Sequence, residues 1–299
     1  MRNLTIIGGS GFIGKSFIDA FQKGNLKKFK IKRINILSRS PQKIRKEMGK
    51  SFKGIKIFKG DISNLKNLPK SELIIYASEP ANIQIYSKKI VTKYNSAIKN
   101  FYELSKKNKY SKILYISSGS VYGKNIKKKK YKYYNDVKKF SENIIKKLSK
   151  RSVKTSIARC FSFVGPYLPL NSNYAIGNFI LDGFSKKKIN VKANSKVYRS
   201  YLFSEDLINW LVKINLNSNK SCPVYNVGSN KKIEIKDLAK MIGNIFSKEI
   251  KTKKNINNKK IDLYVPNINK IKKKLNVKIT YNLKEAIIST ITRLNEKIN

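Results

Sequence analysis

Histidine is absent from these 299 residues, and cysteine occurs only twice, as Cys160 and Cys222. The first absence excludes every His-based catalytic triad. With so few cysteines it also excludes the usual zinc spacings, so no metal site is expected. Two isolated cysteines predict buried thiols in a reducing, cytoplasmic setting rather than a disulfide scaffold. The apolar stretch LTIIGGSGFIG near the N-terminus is short and broken by glycines, which argues against a secretory signal. No apolar run approaches the ~18 residues that a membrane-spanning helix needs.

Acidic side chains are the other scarcity. Asp and Glu number 17 against 66 Lys and Arg, a formal net charge of +49. Such a field attracts anions and, at low salt, any polyphosphate. The excess is mostly lysine and runs from end to end with abundant asparagine and isoleucine, as a compositional bias would distribute it. A nucleic-acid surface more often concentrates its charge and favours arginine. Neither a specific nucleic-acid partner nor a membrane partner is therefore expected.

Hydrophobic residues make up 40% of the chain, enough for one large domain or two modest ones with a real core. Short apolar runs recur through the first 165 residues or so: NLTIIGG, INILSR, GIKIFKGD, LIIYAS, KILYISSG and KTSIARCFSFVG. Longer polar, helix-like segments lie between them, notably GKSFIDAFQKG, QKIRKEMGK and YSKKIVTKYNSAIKNFYELSKK. Runs without strict alternation suit parallel strands covered on both faces, and strand–helix alternation predicts a doubly wound α/β sheet of the Rossmann kind. After Pro166 the rhythm changes. YLPLNSNYAIGN reads as loop, FILDGFSKK as helix, INVKANSKVYRSYLF as strand, turn and strand, and SEDLINWLVKIN as a serine-capped helix. VYNVGS is one more strand, EIKDLAKMIGNIFSK one more helix, and the Lys/Asn-rich tail from 251 carries two short helices. The expected division is a dinucleotide-binding domain over 1–166, with 204–230 returning to it. A smaller, partly interleaved substrate domain then comprises 167–203 and 231–299.

In TIIGGSGFIGKSF, Gly9, Gly11 and Gly14 have G-x-G-x-x-G spacing directly after a strand and at the opening of a helix. Glycines there permit a tight turn and let backbone approach a pyrophosphate at the positive helix end. An NAD site normally carries an acid about 20 residues further on. Here the second strand ends in Ser38 and Arg39. A carboxylate repels a 2′-phosphate whereas arginine holds it with paired hydrogen bonds, which points to NADP, with NAD as the alternative. Asp61 follows the third strand, where a carboxylate can accept from an adenine amino group.

The stretch KKKKYKYYNDVKKF, residues 127–140, admits two readings. Cations interleaved with rings suit a single strand of nucleic acid. Alternatively Tyr134 and Lys138, at i and i+4 on one helical face, form a proton-transfer pair. Tyrosine's ordinary pKa of about 10 is too high for neutral pH; a nearby ammonium and an oxidised nicotinamide would lower it. Upstream, ILYISSGSVYG ends a strand in Ser117 and Ser118, and the carboxyl ends of such strands are where ligands sit. Tyr102 and Lys106 share the Tyr/Lys spacing but are expected at the surface. On the favoured reading, Lys127 to Lys130 form a solvated loop and Tyr134 to Lys138 begin a catalytic helix.

At these residues the chain resembles the extended short-chain dehydrogenases, the NAD-dependent epimerase/dehydratase family that acts on nucleotide sugars. The segments that carry the resemblance are GGSGFIG, GDIS, SSGSVYG, YNDVKKFSE, ARCFSFVGP, YRSYLFSEDL and YNVGS. They cover most of residues 1–245. The resemblance implies that Gly8, Gly11, Phe12, Ile13 and Gly14 form the dinucleotide turn. Asp61 and Ile62 would meet adenine, and Tyr76, Ala77 and Ser78 would lie under ribose and pyrophosphate. Ser118 would orient the sugar oxygen, Tyr134 would be the acid/base and Lys138 would hold the ribose. Phe161 would face the nicotinamide end. Ser162 stands at a substrate-binding asparagine position, Asn178 would lie along the nucleotide, and Arg199 would clamp the diphosphate. Relatives dimerise through the catalytic helix and the long one before it, so a homodimer is implied.

Dehydratases of the family follow the catalytic Ser or Thr with Asp-Glu, whereas this chain has Gly119 and Ser120. The remaining machinery moves a hydride and a proton. The expected function is reduction of a 4-keto sugar nucleotide with Tyr134 as acid. A nucleotide-sugar 4-epimerase with tightly held NAD is the alternative. From another class, the scaffold could serve a nucleic-acid-binding or regulatory protein without turnover, which would leave the ordered Ser118, Tyr134 and Arg199 unexplained.

Overall fold

The computed structural model describes residues 1–49, 51–107, 111–123, 129–172, 174–253 and 257–298. The chain divides into two compact units, Met1–Cys160 with Ile208–Tyr225, and Phe161–Leu207 with Asn226–Asn299.

The first unit is strand and helix in alternation. It begins β1 (Arg2–Ile7), α1 (Phe12–Gln22), β2 (Ile31–Ser38), α2 (Pro41–Met48), β3 (Ile55–Lys59) and β4 (Leu73–Tyr76). It continues α3 (Lys88–Lys106), β5 (Lys112–Ser118), α4 (Lys129–Lys150) and β6 (Lys154–Cys160). The second unit opens with β7 (Phe163–Val164), α5 (Ala175–Ser185), β8 (Lys188–Val191), β9 (Ser195–Arg199) and β10 (Leu202–Phe203). The helix α6 (Ser204–Leu216) and the strand β11 (Val224–Val227) follow, most of α6 and the start of β11 belonging to the first unit. The chain then runs through β12 (Ile233–Glu234), α7 (Ile235–Phe246), β13 (Glu249–Thr252), β14 (Asn257–Tyr264), α8 (Asn269–Leu275) and α9 (Leu283–Ile298).

Seven strands form one sheet in the order β11-β6-β5-β4-β1-β2-β3, and the pairs from β3 through β6 are parallel. This is the doubly wound, Rossmann-like sheet that the apolar runs predict. Its strands are buried on both faces; all four residues of β4 are buried. On one face Ile7, Ile74, Ile113 and Ile157 meet Ile98 and Phe101 of α3 and Ile145 and Leu148 of α4. Each such side chain contributes roughly 1.5–3 kcal/mol on burial. Chain order reverses between β1 and β4, and a sheet that reverses opens a crevice at its carboxyl edge.

Local signals set the helix ends. Ser87 caps α3 by accepting from the Ile90 N–H, 3.4 Å away, and Pro41 opens α2 at a position where its missing N–H costs nothing. The helix α4 starts at Lys129, one turn earlier than expected; Lys127 and Lys128 lie outside the described residues.

The second unit pairs differently. INVKANSKVYRSYLF gives β8, β9 and β10, yet β8 and β9 do not pair with one another. Instead β8 runs parallel to β13, and β9 lies between β12, antiparallel, and β14, parallel. The tail therefore holds two strands where only helices were expected, and α9 spans 16 residues rather than forming a short helix. Among the described residues no helix is long and apolar enough to cross a membrane.

Candidate active site

The turn after β1 is shaped by its glycines. Gly8 has φ +103°, and a Cβ there would sit 2.4 Å from the Ala77 carbonyl oxygen at the end of β4. Only glycine tolerates both conditions. Gly9 is constrained by packing, since an added Cβ would meet Ile36 Cγ2 at 2.0 Å. Gly14 stands against the Gly9 backbone, 2.4 Å from its oxygen by the same measure. Gly11 differs from all three. It caps α1 without any side-chain hydrogen bond, and an added Cβ would meet only the Gly8 oxygen, at 3.5 Å. An uncapped helix end led by Phe12, Ile13 and Gly14, with its approach kept clear of side chains, fits a diphosphate.

Beside this turn, the buried Ser38 hydroxyl accepts from the Ser40 N–H at 3.1 Å and organises the end of β2. Arg39 is 57% exposed, its guanidinium 3.8 Å from Asp61 Oδ2. Lys93 of α3 stands equally far from the same oxygen, at 3.8 Å. Asp61 Oδ1 accepts from the Ser63 N–H at 3.0 Å and from the Ser63 hydroxyl at 2.8 Å. Burial raises the Asp61 carboxyl, but the Ser63 hydrogen bonds and the two cations outweigh it and hold the group below the usual carboxylate range. Ile62 and Tyr76 are core side chains. The Tyr76 ring packs on Phe101 and Tyr115, centroids 4.8 and 6.0 Å away, so only their backbone is available to a cofactor. The Ala77 N–H donates to the Ile7 oxygen at 2.8 Å and fixes the loop that includes half-buried Ser78.

The expectation that Ser117 and Ser118 both face the site is corrected, because successive strand residues point to opposite faces. Ser117 donates to Glu142 Oε1 at 2.6 Å. That carboxylate is also gripped by Arg159, Nε at 2.9 Å and Nη2 at 2.7 Å. Ser118 is the residue on the site side, and its hydroxyl accepts from the Ser120 N–H at 3.2 Å.

Tyr134, in the second turn of α4, is 6% exposed. Its ring meets Tyr86 edge-on at 5.1 Å. Lys138, one turn later, is buried too. Its ammonium donates to the Ile116 carbonyl at 3.1 Å and pairs with Glu79 Oε2 at 2.9 Å. Glu79 also accepts from the Tyr115 hydroxyl and the Ser141 hydroxyl, each at 2.7 Å.

The protein's own groups raise the phenol, and the lowering expected from an oxidised nicotinamide is a separate contribution. Burial pushes the Tyr134 hydroxyl up to about 12; hydrogen bonding with Ser118 opposes the rise, and the negative charge of Glu79 adds to it. Lys138 brings its charge beside the phenol, but Glu79 takes up that charge. The motif search missed Glu79. The signal was present in YASEP, an acid directly after a wholly apolar strand in a chain poor in acids. The second Tyr/Lys pair has no such setting: Lys106 of α3 binds Glu103 at 2.6 Å and lies 5.2 Å from the Tyr102 ring centroid.

The remaining expected residues belong to the second unit. Phe161 stacks on Tyr264, ring centroids 4.7 Å apart, and the Ser162 carbonyl accepts from the Leu202 N–H at 3.1 Å. Arg199 lies 5.9 Å from the same Tyr264 ring, so Phe161 and Arg199 flank one aromatic. The Arg199 guanidinium is already held by Asp262, Nη2 to Oδ2 at 2.8 Å and Nη1 to Oδ1 at 3.2 Å. Asn178 donates to the Ser172 carbonyl at 2.9 Å and so ties down the loop before α5.

Residues 4–228 match the model of the NAD dependent epimerase/dehydratase family. A curated relative, UDP-glucuronic acid decarboxylase 1 of Xenopus tropicalis, is 30% identical over 110 residues; these are 36% of this chain and only 26% of that protein. Among solved structures, the Bordetella bronchiseptica enzyme WbmF in complex with NAD+ superimposes with a TM-score of 0.83 at 16% identity, covering 99% of this chain and 93% of that one. The Thermotoga maritima UDP-glucose 4-epimerase with UDP-glucose gives 0.80 at 15% identity, covering 99% and 100%. These likenesses show the fold. The family follows from the match across residues 4–228, which takes in the glycine turn, Ser118, Tyr134 and Lys138: this chain belongs to the NAD-dependent epimerase/dehydratase family.

Proposed function

We propose that the protein is an NADP-dependent reductase of a nucleotide-diphosphate 4-keto sugar, with Tyr134 as the proton donor. The observation that carries this reading is the pair of cations, Arg39 and Lys93, that stand 3.8 Å from Asp61 beside the glycine turn. A buried phenol raised above its ordinary value also holds a proton that it can give to a carbonyl oxygen.

When bound, NADPH supplies the hydride for the carbonyl carbon. The chain's own residues do the rest. Ser118 and Tyr134 direct hydrogen bonds at the sugar oxygen, Tyr134 transfers its proton there, and the product is a hydroxyl. Arg39 and Lys93, two cations around the single carboxylate of Asp61, favour the 2′-phosphate of NADP over the plain ribose of NAD. Arg199 serves the substrate diphosphate once Asp262 releases it; Phe161, Ser162 and Asn178 contribute to the same nucleotide-sugar site. A homodimer through α3 and α4 and a cytoplasmic setting complete the reading.

A second reading, a nucleotide-sugar 4-epimerase holding NAD, is favoured by the likeness to the Thermotoga enzyme that binds UDP-glucose. One experiment separates the two. The purified protein is given NADPH or NADH with a panel of nucleotide-diphosphate 4-keto sugars, and loss of reduced-nicotinamide absorbance is followed. Consumption of NADPH with one sugar is the expected result, and Tyr134→Phe should lower that rate by about 10²–10⁴-fold while cofactor binding persists. Copurified NAD with interconversion of two sugar nucleotides would establish the epimerase instead.

A further inference from the structure

Glu79 has no part in the chemistry described so far, yet it is the most enclosed carboxylate near the site, with its side chain 1% exposed. Three donors converge on it: the Tyr115 hydroxyl, the Ser141 hydroxyl and the Lys138 ammonium. A buried carboxylate with this many partners is fixed in place. We propose that Glu79 is a positioning residue that matches the charge of Lys138 and thereby keeps Tyr134 in its neutral, proton-donating form.

The geometry carries the argument. Lys138 is anchored at two points, the Ile116 carbonyl at 3.1 Å and Glu79 at 2.9 Å. Its ammonium lies 5.7 Å from the centroid of the Tyr134 ring and 5.6 Å from that of Tyr115. An unmatched ammonium at that range, away from water, would stabilise a phenolate strongly. Glu79 cancels the field at its source. Among the described residues, the buried titratable groups of the neighbouring elements are neutral thiols and phenols. From the end of β6, Cys160 is pushed up to about 12 by burial. From β4, β5 and α3, the hydroxyls of Tyr76, Tyr115 and Tyr94 are all raised, chiefly by burial. Tyr86 meets the phenol ring edge-on, and Ser118 and Ser120 act through hydrogen bonds. Burial is the largest cause of the raised Tyr134 hydroxyl, and the Glu79 carboxylate adds to it.

A phenol that keeps its proton suits the donor role in reduction. This deepens, and rests on, the reductase reading above.

The test needs no substrate in its first arm. Tyrosinate absorbance is titrated in Glu79→Gln and in Glu79→Gln/Tyr134→Phe, and the difference isolates Tyr134; the wild type and Tyr134→Phe give the reference difference. The Tyr134 midpoint should fall by at least about one pH unit when the carboxylate is removed. In the second arm, the alkaline limb of kcat for 4-keto sugar reduction should move down by the same interval. A residue that merely props up the fold would lower the rate at every pH and leave the midpoint where it was.

An unshifted Tyr134 midpoint in Glu79→Gln overturns the proposal, whether or not the protein reduces a sugar. A shifted midpoint in a protein that turns over no 4-keto sugar supports the role of Glu79 and sinks the reductase reading alone. If Glu79→Gln fails to fold, the wild type is compared with Glu79→Gln/Lys138→Met, which removes both charges of the pair together. A Tyr134 midpoint near that of the wild type supports the proposal; a midpoint displaced by about one pH unit or more overturns it.

Discussion

Two ion pairs of the sheet unit and two of the second unit hold their cations in opposite settings. In the sheet unit two pairs lie inside: Glu79 and Lys138 are 1% and 5% exposed, and Glu142 and Arg159 4% and 19%. In the second unit two pairs lie nearer water: Asp262 is 52% exposed where it holds Arg199, and Glu249 75% where it meets Lys188. Buried pairs cost much to break because the survivor is left charged in a poor solvent. Exposed pairs exchange readily with water and with other anions. Under the proposed function, a rigid charge frame would serve the phenol and a loosely held cation would serve an incoming diphosphate.

The largest effect is expected where the buried pair is broken. Glu142→Ala strands Arg159 and removes the acceptor of the Ser117 hydroxyl. Losing one partner of such a pair costs about 3–5 kcal/mol. The urea midpoint of the sheet unit should drop steeply, and a loss no greater than that of an exposed pair would erase the contrast between the units.

The same contrast decides what the sequence disclosed. The seven-stranded sheet was legible because most of its strands are apolar runs and strand–helix alternation brings parallel strands side by side. The glycine turn and Ser118 sit at ends of those runs, and Tyr134 and Lys138 were picked out by their i, i+4 spacing in the helix that follows. In the second unit, β13 and β14 were not visible. EIKT and NNKKIDLY have little apolar alternation and become strands only by pairing with β8 and β9, tens of residues away. Glu79 escaped for a different reason: spacing rules find partners along one helix or one turn, and its three donors come from β5 and α4. Asp262 escaped likewise, 63 residues beyond the arginine it holds.

The next effect tests the cofactor side of the sheet unit. Arg39→Ser removes the exposed guanidinium beside Asp61. A hydrogen bond to a charged group is worth about 1.5–3 kcal/mol, which corresponds to roughly 10–150-fold in affinity for NADPH. Calorimetric titration should show that loss with NADPH and little change with NADH. Equal losses for both would remove the argument for the 2′-phosphate.

A smaller effect is expected in the core of the second unit, where packing rather than charge is at stake. A Cβ added at Gly183 of α5 would come within 2.3 Å of the Phe246 ring at the end of α7. That ring also meets Phe184 edge-on, centroids 4.9 Å apart, so it has limited room to retreat. Overpacking of this kind costs about 1–3 kcal/mol. Gly183→Ala should therefore lower the unfolding temperature, yet leave cofactor affinity, a property of the other unit, unchanged. A loss of cofactor affinity would show that the two units do not divide the work as their charge patterns indicate.

The smallest effect probes the exposed pair directly. Asp262 grips Arg199 with both carboxylate oxygens, so a diphosphate that reaches this arginine must first displace it. The pair itself is worth about 0–1 kcal/mol, which bounds the gain at roughly fivefold. Asp262→Asn keeps the shape and the Arg199–carbonyl contacts while it removes the competing charge. Binding of a nucleoside diphosphate should tighten by up to that factor, with thermal stability nearly constant. Weakened binding would mean that Asp262 holds Arg199 in its working position and does not compete for it, and the loosely held cation would then be as fixed as the buried pair around the phenol.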